Sequence, residues 1–355
     1  MKIRFFILAF ACAIATVSLT IVDHNGKPER AKKAELSFFD QLAEQARSSG
    51  ELPHITLTFD QSKLAAHKYS AEHFGSTLTL SDKDWEVKLF LRGRYRRRVC
   101  DFPPLRIKFK KAHLRTAGLK EYNRFKLVTH CSDDFDYRDN LMREQLAYEL
   151  YRLIAGQGFR TQLVELTYRD ADSGESFQRL GILIEDGKEM AAAAHSKKCN
   201  KCSYLPSNAF VQGNPETLAL FNYMIGNADW SAKTPRNVEI IRHQADQQHE
   251  LVPFDFDFAA LVDVEYAVPN PNYNQVSIRD RIWIWEFKDE PLQLAEVVAH
   301  YRSKEAAVMS HVENFPGLHK RSKRRIGKYL KSFFEELSES SFVEELAVQS
   351  TPAGG

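Results

Sequence analysis

The chain has 355 residues, 43% of them hydrophobic and 27% charged, with 49 Lys and Arg against 47 Asp and Glu for a net charge of +2. That length can bury one large core or two closely joined ones, and the composition excludes a multispan membrane protein. The near-balanced charge excludes a chain that grips nucleic acid over its whole surface, so nucleic acid is not an expected partner. Basic runs at 92–98 (RGRYRRR) and 319–325 (HKRSKRR) still leave phosphate-rich partners open.

The first 22 residues, MKIRFFILAFACAIATVSLTIV, place two cations before an apolar run that turns to small residues. This is the pattern of a secretory signal peptide or an uncleaved N-terminal anchor. The expectation is an exported protein, periplasmic or secreted, touching a membrane only through that segment; cleavage after Ala13 or near Ser18 both fit. Cys12 sits in a poor context for a lipoprotein signal, because Phe10 interrupts the small residues before it. Export makes Cys100, Cys131, Cys199 and Cys202 candidates for two disulfides. Cys100 with Cys131 is the preferred pair, since each lies beside a strand-like run. The isolated CNKC at 199–202 could instead serve zinc or redox chemistry, but no second CxxC accompanies it.

Beyond that segment, 31–48 has apolar residues at helical spacing and stops at SSG. The runs HITLTFD, STLTLS, WEVKLFLRG, LRIKFKK and FKLVTH are rich in β-branched and aromatic residues and read as strands. A helix is predicted over 140–155, where Met142, Leu146, Leu150 and Leu153 recur every three or four residues and Asn140 can cap the start. TQLVELTYR and RLGILIED then form a hairpin about ADSGES. The polar stretch from 187 to 208 reads as a loop or insertion. Asn214, Pro215 and Glu216 open a further helix that Gly226 ends. NVEIIR and ELVPFDF follow as strands, and helices fill the region from about 291 to 340. Residues 345–355 are expected to be a disordered tail. The chain is therefore α+β, with a β-rich region at 31–185 containing the 140–155 helix and a helix-rich region at 186–340.

Two polar interruptions stand out, IGNADWSAKTPRN at 225–237 and VPFDFDF at 252–258. A carboxylate in an apolar strand is costly to bury unless something pairs with it, so the two pieces read as halves of one site. Phosphoryl transfer needs divalent metal held by carboxylate and amide oxygens, cations on the phosphates, and a carboxylate that orients the attacking hydroxyl. Asp229 is the candidate base, Asn237 and Asp255 are candidate metal ligands, and Asp257 falls on the face of Asp255 if the strand continues. Lys108 is the candidate phosphate lysine. Its partner is Glu144, beside Arg143, with Glu149 the alternative.

These segments resemble the successive motifs of the spore-coat protein H kinase family, atypical secretory protein kinases. The resemblance runs over about 86–263 through LFLRGRYRR, FPPLRIKFKK, FKLVTHCSD, NLMREQLAYELYRLI, LGILIED, YMIGNADW and LVPFDFDF. It implies a divergent protein-kinase-like fold with a β-rich N-terminal lobe and a helix-rich C-terminal lobe, ATP with Mg²⁺ or Mn²⁺ as cofactors, and transfer of the γ-phosphate to a protein Ser or Thr. Asp229 matches the catalytic aspartate and Asp255 the metal-binding one, with Asn237 and Asp257 at neighbouring matched positions. Glu185 matches the glutamate of the G-x-Y-x-L-x-E strand, Arg92 the arginine of R-G-N, and Arg143 the helix arginine. This chain departs from the family in RGR with Arg94, in FDFD for W-D-x-D, and in GILIE without the aromatic residue. Competing readings are a non-catalytic exported module that recognises a phosphorylated or acidic surface component through 92–98, and a metal-dependent hydrolase or nucleotidyl transferase using the same carboxylates.

Overall fold

Period-two alternation builds the first part of the molecule. The computed structural model describes residues 36–133, 137–287 and 292–350; the signal-like segment, Cys12 and the last five residues lie outside it. From Leu36 onward the chain forms one compact unit. Strands β1 (His54–Phe59), β2 (His73–Leu80), β3 (Lys83–Leu91), β4 (Leu105–Phe109), β5 (Arg124–Thr129), β6 (Thr161–Asp170) and β7 (Ser176–Ile184) close in the order β1-β2-β3-β4-β5-β7-β6. All neighbours are antiparallel except β1 and β6. Closure leaves this sheet no free edge.

Along β1–β4 the buried residues alternate, and Leu57, Leu78, Leu89 and Ile107, with Phe125 from β5 and Leu166 from β6, fill the interior. Helix α1 (Phe38–Ser49) plugs that core: a capping box between Ser37 and Asp40 starts it, and Phe38 reaches within 4.6 Å of the Phe109 ring. Three short helices, α2 (Ser62–Ala66), α3 (Arg96–Val99) and α4 (Lys111–Thr116), sit in the strand connections.

A second hydrophobic core lies among α5 (Tyr137–Ala155), α6 (Gly187–Ala193), α7 (Asn214–Ile225), α8 (Ala295–Asn314), α9 (Lys320–Ser338) and α10 (Phe342–Ser350). A three-stranded sheet, β10-β9-β8, packs into it, formed by β8 (Ser196–Lys198), β9 (Val238–His243) and β10 (His249–Pro253). The whole is a mixed α and β chain with a seven-stranded closed sheet and ten α-helices among the described residues. None of those helices is long and apolar enough to cross a membrane. Cys100 is bonded to Cys131, the preferred pair, and Cys199 to Cys202.

The structure corrects four local expectations. The 187–208 stretch carries α6 and β8, because Asp186 caps the helix through Lys188 N and Met190 is buried. Residues 345–350 belong to α10, held where Leu346 is buried and Trp283 Nε1 donates to Ser350 Oγ at 2.8 Å. Asn140 is not a cap, since α5 is already helical at Tyr137; its amide donates instead to Glu265 at 2.9 Å. Strand β10 ends at Pro253, so Asp255 and Asp257 lie beyond the strand, and period-two alternation is not what orients them.

Candidate phosphoryl-transfer site

Three segments supply the charged lining of one cleft of about 550 Å³, with Asp229, Asn237, Asp255 and Asp257 beside Arg96 and Arg236, and a fourth carries a buried lysine nearby. The first segment is the loop after α7. Gly226 ends that helix in the left-handed region (φ 66°), and a Cβ there would come within 2.6 Å of the Ala260 Cβ. Close approach and dihedral both demand glycine. Asn227 then donates to Asn222 at 2.8 Å and accepts from the Asp229 N–H at 3.0 Å. Asn237, itself left-handed at φ 54°, donates from Nδ2 to the Asp229 carbonyl at 2.8 Å and carboxylate at 3.0 Å. Arg236 lies 3.2 Å from the same carboxylate. Burial, and then the charge of Asp255, raise the Asp229 pKa above the ordinary range, against the pull of Arg236 and Asn237.

The second segment is Asp255-Phe256-Asp257. Phe256 is fully buried, 4.8 Å from the Tyr148 ring and 5.7 Å from Phe221. Asp255 is left-handed (φ 67°), and its N–H donates to the Tyr148 hydroxyl at 2.9 Å. Non-glycine residues in this region cost of order 1–3 kcal/mol each, and two of them, Asn237 and Asp255, face this one cleft. Tyr266 donates to Asp257 at 3.0 Å.

The third segment follows β3. The Gly93 turn (φ 73°) brings Arg92 within 3.9 Å of Asp255 and starts α3 at Arg96. Arg96 is buried, 3.8 Å from Glu144 and 3.9 Å from Asp257, and donates to the Thr129 carbonyl at 3.1 Å. Burial opposes its charge, but Tyr266, Asp257, Glu144 and Asp255 outweigh that and hold it protonated. Burial raises the pKa of both Glu144 and Asp257; Asp255 adds to each, and Arg96 partly offsets the rise.

The fourth segment, β5, does not line the cleft but carries a lysine that interacts electrostatically with Arg92 and Asp255. Lys126 Nζ is buried without a hydrogen-bond partner, over the rings of Phe254 (3.8 Å) and Phe159 (4.2 Å). Burial and then Arg92 lower its pKa to about 7, while Glu239 and Asp255 pull it back.

The remaining expected residues lie elsewhere. Lys108 points outward on β4 in register with Lys88 and Arg124, two positions along from Arg106, the residue opposite Lys126; it does not line the cleft. Arg143 is buried 3.3 Å from Asp139 and donates to the Asp263 carbonyl at 3.5 Å, a contact that ties α5 to the chain after the Asp255 segment. Glu185 accepts from Arg160 at 2.8 Å, and Arg160 also bridges Asp40 and Glu189, so this cluster fastens α1 to the barrel and α6. Sequence reasoning passed over Arg96, Lys126, Arg236 and Tyr266. Arg96 was visible only as one of the five arginines in 92–98, and Lys126 only as a polar alternation in FKLVTH.

The carboxylates and the Asn237 amide form a hard oxygen set that suits Mg²⁺ or Mn²⁺. Burial and the charge of Asp255 raise the pKa of Asp229 and Asp257, a strain that a divalent cation relieves. The unpartnered Lys126 ammonium and the neighbouring Arg92 suit phosphate oxygens.

No protein-family model and no curated protein matches this chain. Seven chains of solved structures do. Among them is the Helicobacter pylori proinflammatory kinase CtkA, at 13% identity and a TM-score of 0.34, covering 69% of this chain and 94% of that one. The likeness is weak.

Proposed function

We propose that this chain is an exported, metal-dependent phosphotransferase of the atypical protein kinase type, related to the spore-coat protein H kinases, that uses ATP to phosphorylate Ser or Thr in a protein. The observation that carries the reading is the convergence of Asp229, Asn237 and Asp255, from separated segments, on one cleft rimmed by arginines. The fold reading that goes with it is a two-lobed kinase-like arrangement. The barrel side would supply Arg92, Arg96 and Lys126, and the helical side the aspartates.

ATP supplies the transferable phosphoryl group, and Mg²⁺ or Mn²⁺ neutralises charge on its oxygens. Asp255, Asp257 and Asn237 would hold the metal, and Arg92 and Lys126 the phosphates. Asp229 would accept a hydrogen bond from the acceptor hydroxyl and take its proton as the new O–P bond forms, while the bond from the γ-phosphorus to the bridging oxygen breaks and ADP leaves with that electron pair. Its raised pKa favours that role. Arg96 would position Asp257 and Glu144 without touching substrate.

Purified protein with labelled ATP and Mn²⁺ or Mg²⁺ tests this. Expected are transfer to the protein itself or to an added acceptor, a product mass increased by phosphate and not by AMP, and a nucleotide-dependent thermal shift that needs metal. Asp229→Ala should abolish transfer and keep the thermal shift. If neither transfer nor shift occurs with either metal, the reading is wrong.

A further inference from the structure

A second cavity of about 340 Å³ opens beside the cleft, and the two share Gly93, Arg94 and Arg98 as a common wall. Lys68, Arg92 and Arg97 complete its cationic lining, Leu91 and Tyr69 add the other side chains, and among the described residues no carboxylate lines it. Of these five cations Arg92 faces a carboxylate, Asp255 at 3.9 Å, and the other four leave a standing field for an anion.

The cavity is also held in shape. Arg97 donates to the carbonyls of Lys68 (2.7 Å), His67 (3.2 Å) and Ser70 (2.6 Å), so this guanidinium is committed to fixing the 67–70 turn as a wall. Among the described residues the side chains of Arg94 and Lys68 make no hydrogen bond or ion pair, and the Arg98 guanidinium lies 5.6 Å from the Tyr95 ring. Tyr69 stands 79% exposed at the rim, a large amphipathic side chain ready for a partner's contact.

A metal-bound nucleotide suits the neighbouring cleft better, because that cleft offers the metal carboxylates and the lining of this cavity has none. From this we infer that the cavity docks an acidic segment of the protein acceptor, a cluster of Asp or Glu side chains lying a few residues from the Ser or Thr that enters the cleft. Arg94 and Arg98, on the shared wall, then select acceptors in which the two features are adjacent. The inference rests on the phosphotransferase reading for the word acceptor, while the anionic docking itself does not depend on turnover.

The test is fluorescence-anisotropy binding of three labelled Ser-containing peptides of equal length, one flanked by Asp and Glu, one neutral and one Lys-rich. Binding is measured on the wild type and on Lys68→Glu and Arg98→Glu, each checked for an unchanged melting temperature. The acidic peptide should bind at least about tenfold tighter than the neutral one, lose affinity steeply with salt, and fall to the neutral level in both variants. Equal affinity for acidic and neutral peptides, or wild-type affinity in both variants, overturns the inference. Competition by inorganic phosphate at low concentration, with no preference for the acidic peptide, would reassign the cavity to free phosphate and also overturns it. In parallel, kcat/KM for phosphate transfer is measured with the same peptides. Acidic-peptide binding without any transfer leaves the docking inference standing and removes the phosphotransferase reading.

Discussion

At the scale of single residues, two outward-facing lysines on adjacent strands compete for one role. Lys108 and Lys126 both alternate away from the barrel interior, and nothing in LRIKFKK or FKLVTH distinguishes them. What does is the register, which sets Lys126 opposite Arg106 and Lys108 opposite Arg124. Lys126→Met should keep the packing on Phe159 and Phe254, because a thioether suits aromatic rings. It also removes a buried ammonium that lacks a partner, so the melting temperature should hold or rise. Metal-dependent ATP affinity should weaken about tenfold or more, the loss of a charge-assisted hydrogen bond. Lys108→Met should change neither, and calorimetric titration of both variants decides between them. His130 gives a second prediction. Its ring is buried against Phe102 at 4.4 Å, and burial, then Arg179, lower its pKa to about 4. An unfolded histidine titrates near 6.5, so between about pH 6.5 and 4 the unfolded chain binds the extra proton and stability falls as pH falls. The cost at the acid end is on the order of 3 kcal/mol. His130→Phe should flatten that part of the melting-temperature profile relative to wild type; parallel profiles would show that His130 does not titrate as its burial implies.

At the scale of elements, Cys100 and Cys131 join the end of α3 to the end of β5, and α3 carries Arg96. The bridge spans 31 residues of sequence, a loop whose closure stabilises by roughly 3–4 kcal/mol in the chain-entropy account. Replacing both cysteines by serine should lower the unfolding free energy by about that amount. ATP affinity should also fall in the remaining folded protein, because Arg96 loses its fixed position; stability lost with affinity intact would make the disulfide a staple only. This pairing was legible in the sequence, as were the strands, the 140–155 helix and the 161–184 hairpin, because each has a strong local period. Less legible were elements whose stability comes from contacts distant in sequence. Helix α10 forms because Trp283 and the second core receive it, and Asp255 leaves the strand because Phe256 is drawn between Tyr148 and Phe221. Asp229, Asn237, Asp255 and Asp257 could be picked out as polar residues in apolar surroundings. Arg96, Lys126 and Tyr266 could not, since their importance depends on which charges surround them once the chain is folded.

At the scale of the whole molecule, the candidate site draws on both hydrophobic cores. Arg92, Arg96 and Lys126 come from the barrel and its connections, while Asp229, Asn237, Asp255 and Asp257 come from segments anchored in the second core. The two groups already touch through Arg92–Asp255 and Arg96–Asp257, each at 3.9 Å, distances at which charges attract without a tight hydrogen bond. A metal–nucleotide complex held by both groups must therefore stabilise both cores together, by about 2.7 kcal/mol at a ligand concentration one hundred times Kd. Hydrogen exchange with and without ATP and Mn²⁺ reads this directly. Protection should rise in residues 92–98 and 124–129 on the barrel side and, at the same ligand concentration, in 227–237 and 254–258. A rise confined to the aspartate segments would mean that metal binds there without bridging to the barrel's cations. A rise confined to 92–98 would mean that the arginines take the anion alone, as a binding module would. In an Asp255→Asn variant the coupling should break, with the barrel side keeping only the weak protection that phosphate contacts give.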